Sequence, residues 1–310
     1  MKIFKPKFWE KNHLNLFAIL LLPISIIIQI LSLIKKKIIG SKNFDIPIIC
    51  IGNIYLGGTG KTPLSIKIFE IISKRKKNPA IIRKFYKNYY DEINLIKKKI
   101  SNLFVNSSRI KAIDQAIENK FDTIILDDGF QDYSVKKNLN ILCFNEKQLI
   151  GNGHTIPSGP LRQNFNSIKD CQIIVINGKR NKDFENKIKN ISNRINIFYS
   201  KYVAVNINSF KNKKLLAFAG IGNPVNFFNL LDESGLNVKK RISFPDHYLY
   251  SKKELEKLID FAKKNSLEII TTEKDYFRLK NFNFKEIDYL SVKLEIFNEN
   301  LLIQELKKYI

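Results

Sequence analysis

Cysteine is scarce: Cys50, Cys143 and Cys171 are the only three, far apart and each inside or beside an apolar run. With no C-x-x-C pair and an odd count, the chain offers neither a zinc site nor a disulfide framework, and a reducing compartment suits it. Acidic residues are also few, 29 against 53 basic, for a net charge of +24. Arginine is scarcer still, because 45 of those 53 basic residues are Lys. Readers of base edges depend on the planar guanidinium fork, and the aromatics here are not interleaved with Arg as on a base-stacking platform. These shortages argue against a nucleic-acid partner. They leave a solvated lysine coat, or a surface drawn to anionic lipid headgroups. Internal repeats and long low-complexity linkers are missing too, which excludes solenoids. What remains is 310 residues, 44% hydrophobic, enough for two folded domains with separate cores.

Charge is wholly absent from residues 14–34, LNLFAILLLPISIIIQILSLI. As a helix these 21 residues measure about 31 Å, the thickness of a hydrocarbon core. A cleaved signal peptide needs a small-residue cleavage site, but KKKIIG follows. A core helix needs a polar face, and apolar side chains surround this axis. A membrane segment is the remaining reading. Lys2, Lys5, Lys7 and Lys11 precede it and Lys35, Lys36 and Lys37 follow it, so a full crossing would export the first group against the positive-inside tendency. Pro23 at mid-segment allows a kink. One-sided insertion is therefore favoured, with Trp9 near the interface.

Beyond this segment, short apolar runs alternate with helical patterns. Strands are expected at 46–51, 80–82, 123–126, 140–143 and 172–176, with helices at 61–74 and 112–119. That alternation argues a parallel, doubly wound α/β sheet. A second, smaller α/β pattern follows: strands at 215–219, 268–272 and 289–292, a helix over 255–262 capped by Ser251 and Glu254, and a closing helix at 298–309. The polar stretch 208–214 is the best boundary, giving an anchor at 1–40, a nucleotide-binding domain at 41–208 and a smaller domain at 209–310.

Three of only 13 glycines fall within one hexapeptide, Gly57-Gly58-Thr59-Gly60-Lys61-Thr62, between an expected buried strand and helix. Such a phosphate loop wraps backbone N–H groups around phosphates at a helix N-terminus. Tyr55 and Leu56 open it, Lys61 is placed for the β- and γ-phosphates of ATP, and Thr62 for Mg²⁺. Pro63 suits the first helical turn. The usual pattern has Gly where this chain has Tyr55. Further on, the strand TIIL ends in Asp127 and Asp128, where a P-loop enzyme keeps its magnesium-directed acid. Alone, an Asp-Gly pair after a strand is as readily an ordinary turn.

The blocks IGNIYLGGTGKTP, Tyr90-Asp91-Glu92, LDDGFQD, IPSGPLR, FAGIGNP, SFPDHY and TTEKD, in this order, resemble the tetraacyldisaccharide 4′-kinase family. The resemblance runs from the membrane segment to about Asp275. It implies a P-loop domain joined to a smaller α/β domain, and Mg²⁺-dependent transfer of the ATP γ-phosphate to a sugar hydroxyl of a lipid A precursor glycolipid. It also implies the cytoplasmic face of the inner membrane. Asp91 matches the family's base, paired with His247; Glu92 and Asp127 match acids near the metal, and Arg109 a basic site residue. Two departures stand out: Arg83-Lys84-Phe85-Tyr86 replaces the family's Ser-Arg-Gly-Tyr, and Asp132 replaces the His of DDGFQH. Besides the kinase, two other readings fit parts of the sequence: a membrane-associated P-loop ATPase acting as a conformational switch, and a lysine-rich binding module.

Overall fold

A computed structural model describes residues 6–10, 15–86, 90–246 and 248–310, with backbone alone at 90–92. In chain order its first elements are α1 (Leu16–Ile38), β1 (Ile48–Gly52), α2 (Lys61–Ser73), β2 (Pro79–Lys84), α3 (Tyr90–Lys99), β3 (Leu103–Asn106), α4 (Arg109–Glu118), β4 (Thr123–Asp127) and β5 (Leu139–Asn145). There follow β6 (Ile173–Asn177), α5 (Lys182–Ile191), β7 (Asn196–Ala204), β8 (Lys214–Ala219), α6 (Pro224–Glu233), β9 (Asn237–Ser243) and α7 (Lys252–Lys264). The chain closes with β10 (Glu268–Thr272), α8 (Glu273–Leu279), β11 (Ile287–Leu290), β12 (Val292–Ile296) and α9 (Glu299–Leu306). The expected strand at 289–292 is in fact the junction of β11 and β12. The chain breaks pairing at Ser291, whose N–H goes to the side chain of Asn206 at 2.8 Å.

Two compact units result. Among the described residues, the larger comprises those within 5–86, 100–201 and 296–310, and the smaller those within 87–99 and 202–295. Helix α3 therefore belongs with the C-terminal stretch despite its early place in the sequence. It is held there by packing on α8, where the buried Glu273 receives Lys99 at 2.9 Å.

The larger unit is built on parallel strands in the order β7-β6-β5-β1-β4-β2-β3. Strands β1 to β7 pair in parallel. Parallel strands covered on both faces must be apolar throughout, which is why β1, β4 and β6 read as unbroken apolar runs and are buried along their lengths. Strand β1 lies between β4 and β5, so connections run outward on both sides of it. Such a switch point opens a crevice at the carboxyl ends of the strands. Beneath it, Ile48, Ile54, Ile82, Leu126, Leu142 and Phe144 belong to one continuous core.

Helix α1 belongs to this unit and is not uniform. Ala18, Ser25, Gln29 and Lys36 recur every seven or four residues, hence along one line of the helix. Ser158 Oγ donates to the Ala18 carbonyl at 2.6 Å, and the Ser158 N–H to Ser25 Oγ at 3.0 Å. Gln29 Nε2 donates to Thr155 Oγ1 at 2.7 Å, and Lys36 pairs with Asp170. The helix thus lies against its unit for roughly 27 Å. Its other side, including Leu20, Ile27 and Leu31, stays exposed, and only 11% of the apolar stretch is buried. Trp9 is also tied to the unit, its indole N–H donating to the Pro157 carbonyl at 3.0 Å.

The smaller unit carries a four-stranded parallel sheet of order β11-β10-β8-β9. Alternation along β8 divides its two cores: Leu215, Ala217 and Ala219 face Phe227 and Leu231 of α6, while Leu216 and Phe218 face Leu255 and Ile259 of α7. Helix α7 starts at the expected capping box, with both reciprocal bonds formed between Ser251 and Glu254. The buried Asp275 accepts from the Gly220 N–H, Tyr250 and Thr272, so the TTEKD block fixes the turn after β8.

Candidate active site

Residues 53–60 form the loop between β1 and α2. The fully buried Asn53 holds it shut: its Nδ2 donates to the carbonyl of Tyr55 at 2.7 Å, to that of Gly57 at 3.2 Å and to Thr59 Oγ1 at 2.9 Å. Gly57 and Gly60 take φ of 127° and 97°, which side chains resist, so glycine is required at both. Tyr55 needs no such freedom. It lies flat in a bridge with Leu161, flanked by Leu56 N–H to the Pro160 carbonyl and Arg162 N–H to the Ile54 carbonyl. The IPSGPLR block therefore splints the front of the loop, which explains a buried tyrosine where the common pattern has glycine.

The register of β1 against β4 sets Ile51 opposite Asp127, so the acid arrives directly below the loop. Asp127 is fully buried. Its Oδ2 accepts from Thr62 Oγ1 at 3.1 Å, and its Oδ1 from Ser65 Oγ at 2.9 Å. Arg83 Nη1, brought opposite by the β2–β4 register, donates to the same Oδ2 and to Thr62 Oγ1 at 3.3 Å.

Asp128 leaves the strand with a left-handed φ of 58°, unusual for a residue with a side chain. Its carbonyl is held by Arg109 Nη2 at 2.6 Å and its carboxylate by Arg162 Nη1 at 3.1 Å. Lys61 Nζ stands 3.8 Å from the carboxylate. Burial alone pushes the Asp128 carboxyl upward, but Lys61, Arg162 and Arg83 overcome it and hold the group down at about 2. Burial also lowers Lys61, with Asp128 opposing. Behind this layer, Arg109 Nη1 is fixed by Asp132 Oδ2 at 2.7 Å. Asp132 is itself held near 2: burial raises it, and bonds from Ser134 and Arg109 more than compensate.

Of the expected site residues, Tyr55, Leu56, Gly57, Gly58, Thr59, Gly60, Lys61, Thr62, Asp127 and Asp128 are thus gathered at the carboxyl ends of β1 and β4. Arg109 stands one layer back, gripping the Asp128 backbone. Asp91 and Glu92 lie in the first turn of α3, their side chains outside the described residues, and His247 is outside them altogether. Arg83, Arg162, Asn53 and Ser65 are further site residues that the sequence motifs do not single out. Rarity was the available signal: of eight arginines in the chain, Arg83, Arg109 and Arg162 converge here. The three cysteines are buried, and burial pushes the thiol of Cys50 up to about 11, so it stays protonated.

A parallel α/β sheet with a glycine loop feeding a helix N-terminus, a loop lysine, and a helix threonine bonded to a strand-end aspartate defines the P-loop nucleotide-binding class. The profile of the family described as tetraacyldisaccharide-1-P 4′-kinase, LpxK, matches residues 17–310. The tetraacyldisaccharide 4′-kinase of Pelagibacter ubique is 45% identical over 99% of this chain and 98% of its own. That of Rickettsia typhi is 34% identical over 99% of both. The crystal structure of LpxK from Aquifex aeolicus in complex with ATP superposes with a TM-score of 0.72 at 23% identity, covering 95% of this chain and 99% of that one. The chain belongs to the tetraacyldisaccharide 4′-kinase family.

The ordinary Asp carboxyl titrates near 3.8, and Asp128 in the folded protein at about 2, so its ionised form is favoured by folding. That contribution is complete above about pH 4 and disappears as the pH falls through about 2. In Asp128→Asn the urea midpoint should be lower at pH 6, and the gap from the parent should close on acidification. A gap that is constant from pH 6 to 2 would refute the ion-pair assignment.

Proposed function

We propose that this protein is an ATP-dependent kinase that transfers the γ-phosphate to the 4′-hydroxyl of a tetraacyldisaccharide 1-phosphate in lipid A biosynthesis. The observation that carries the reading is the strand–GGTGKT–helix loop joined to Asp127 through Thr62, in a chain belonging to this family along nearly its whole length. The loop amides and Lys61 bind the phosphates, and Arg162 and Asp128 set the position of the Lys61 ammonium.

The residues also fit Mg²⁺. Adjacent ligands of an octahedral Mg²⁺ at 2.0–2.1 Å lie about 3 Å apart, and Thr62 Oγ1 and Asp127 Oδ2 are separated by 3.1 Å. Among the described residues no cluster of three or more His, Cys, Asp or Glu is present. Mg²⁺ takes one or two protein ligands and completes its shell from phosphates and water. When bound, Mg²⁺ neutralises charge on the β- and γ-phosphates. Asp128 and, by family resemblance, Glu92 stand as further acids near it.

By the same resemblance Asp91 is the base that accepts the proton of the sugar hydroxyl, and His247 orients it or shares that proton. Phosphoryl transfer passes through a loose transition state, so placing the acceptor matters more than base strength. An ordinary Asp is then adequate. The proposed working division of the chain is an anchor at 1–40, a P-loop domain at 41–208 and a smaller domain at 209–310, except that α3 packs in the smaller unit and 296–310 in the larger.

The substrate's acyl chains place it in a membrane, and α1 supplies the matching surface. Because its polar line is engaged with Thr155, Ser158 and Asp170, the exposed apolar side is available to one leaflet without a crossing. The inner membrane, at its cytoplasmic face, is the proposed location, with the glycolipid and the bilayer as partners and no nucleic acid.

ATP turnover should depend on added glycolipid acceptor and yield, by mass, the acceptor heavier by one phosphoryl group, the 1,4′-bisphosphate. Lys61→Ala should lower it by about two or three orders of magnitude with the fold intact. Turnover equal with and without acceptor would identify an ATPase instead. Asp91→Ala and His247→Ala should each depress kcat, and together much less than the product of the single effects. Fully multiplicative losses would separate the two residues. The intact protein should resist salt extraction from membranes, whereas Ile27→Lys with Leu31→Lys should release it to the soluble fraction. Release of the parent protein by salt alone would rule out an apolar anchor.

A further inference from the structure

One charged side chain at the phosphate loop has no part in the reading above: Arg83. Only 6% of its side chain is exposed, and it ends on Asp127 Oδ2 and, at 3.3 Å, on Thr62 Oγ1. These are the two oxygens whose separation fits adjacent ligands of Mg²⁺. The β2–β4 register sets Arg83 directly opposite Asp127, so the contact is built into the sheet and does not depend on a mobile loop. The family pattern has a serine at this position.

A carboxylate with no exposed surface needs a countercharge, and hydrogen bonds from Thr62 and Ser65 supply only dipoles. Arg83 supplies the charge. Yet a guanidinium nitrogen within hydrogen-bonding reach of both oxygens occupies the space, and repels the charge, of an ion that must approach each to about 2 Å. We propose that Arg83 is a resident counter-ion at the magnesium-binding pair: it neutralises Asp127 in the nucleotide-free protein and withdraws as Mg²⁺ enters with the nucleotide. Metal is then admitted by exchange for an internal cation. The proposal rests on the magnesium reading of Thr62 and Asp127.

The test is Arg83→Ser in the full-length protein, with two readouts independent of turnover. The first is binding of a fluorescent ATP analogue titrated with Mg²⁺. A charge-assisted bond no longer forfeited on metal entry should lower the half-saturating Mg²⁺ by about tenfold. The second is the thermal midpoint. In chelator it should fall below that of the parent, because Asp127 has lost its countercharge, and Mg²⁺ should restore more of it than in the parent. Arg83→Lys, which keeps the charge but not the fork, should shift both readouts in the same sense by less, and it carries the test if the serine variant does not fold. Equal Mg²⁺ responses in parent and variants, or a higher requirement in the variants, overturn the role of Arg83 alone. No Mg²⁺ response in any of them overturns the magnesium reading with it.

Discussion

A single buried carboxylate, that of Asp127, ties the phosphate-loop unit together. It sits at the end of β4 with no exposed surface, and its three partners come from two elements: Thr62 and Ser65 from α2, and Arg83 from β2. An ionised group in such a place is tolerable only if every lone pair is met by a fixed donor. Meeting that demand fixes the register of β2, β4 and the first turn of α2 simultaneously. The loop that must present its amides to phosphates is consequently anchored at its helical end by the acid it works beside. Its strand end is secured by Asn53 and by the bridge of Tyr55 to Leu161.

The second acid shows the same economy. Asp128 adopts a left-handed backbone, a conformation that costs about 1 kcal/mol or more for a residue with a side chain and persists only where the surroundings determine it. Here Arg109 grips its carbonyl and Arg162 its carboxylate. Asp132 holds Arg109 in turn. Where the family pattern has a histidine, this chain has a carboxylate that is ionised at any pH above about 2, so the grip on Arg109 does not titrate near neutrality.

Much of this was legible in the sequence for physical reasons. Central parallel strands must be apolar on both faces, so β1, β4 and β6 announce themselves as runs; Glu268–Thr272 was placed to the residue. The phosphate loop is legible because Gly57 and Gly60 occupy backbone conformations that other residues resist. Strand β9 is not legible, because as an edge strand reading NVKKRIS it is largely exposed and carries three charges in a row. Nor is the grouping of α3 with the smaller unit, which depends on the buried Glu273 drawing Lys99 across a distance of 174 residues in sequence (273 minus 99). Arg83 was visible only as a departure from a pattern; its meaning required the β2–β4 register. The sequence of helix α1 reads as apolar all round, because its polar line is defined only by the bonds that Ser25 and Gln29 make with Thr155 and Ser158.

That polar line has a mechanical consequence. A greasy segment on a slack tether lets its cargo tumble, presenting every side in turn to whatever boundary holds it. A helix bonded at Ala18, Ser25, Gln29 and Lys36 gives its unit no such liberty. Against an oily surface the unit keeps one heading, able to spin about the perpendicular and glide, but not to roll over. Encounter with a molecule confined to the same plane would then become a two-dimensional search by a body of fixed heading. Its frequency scales with crowding in the sheet of lipid and not with concentration in bulk water.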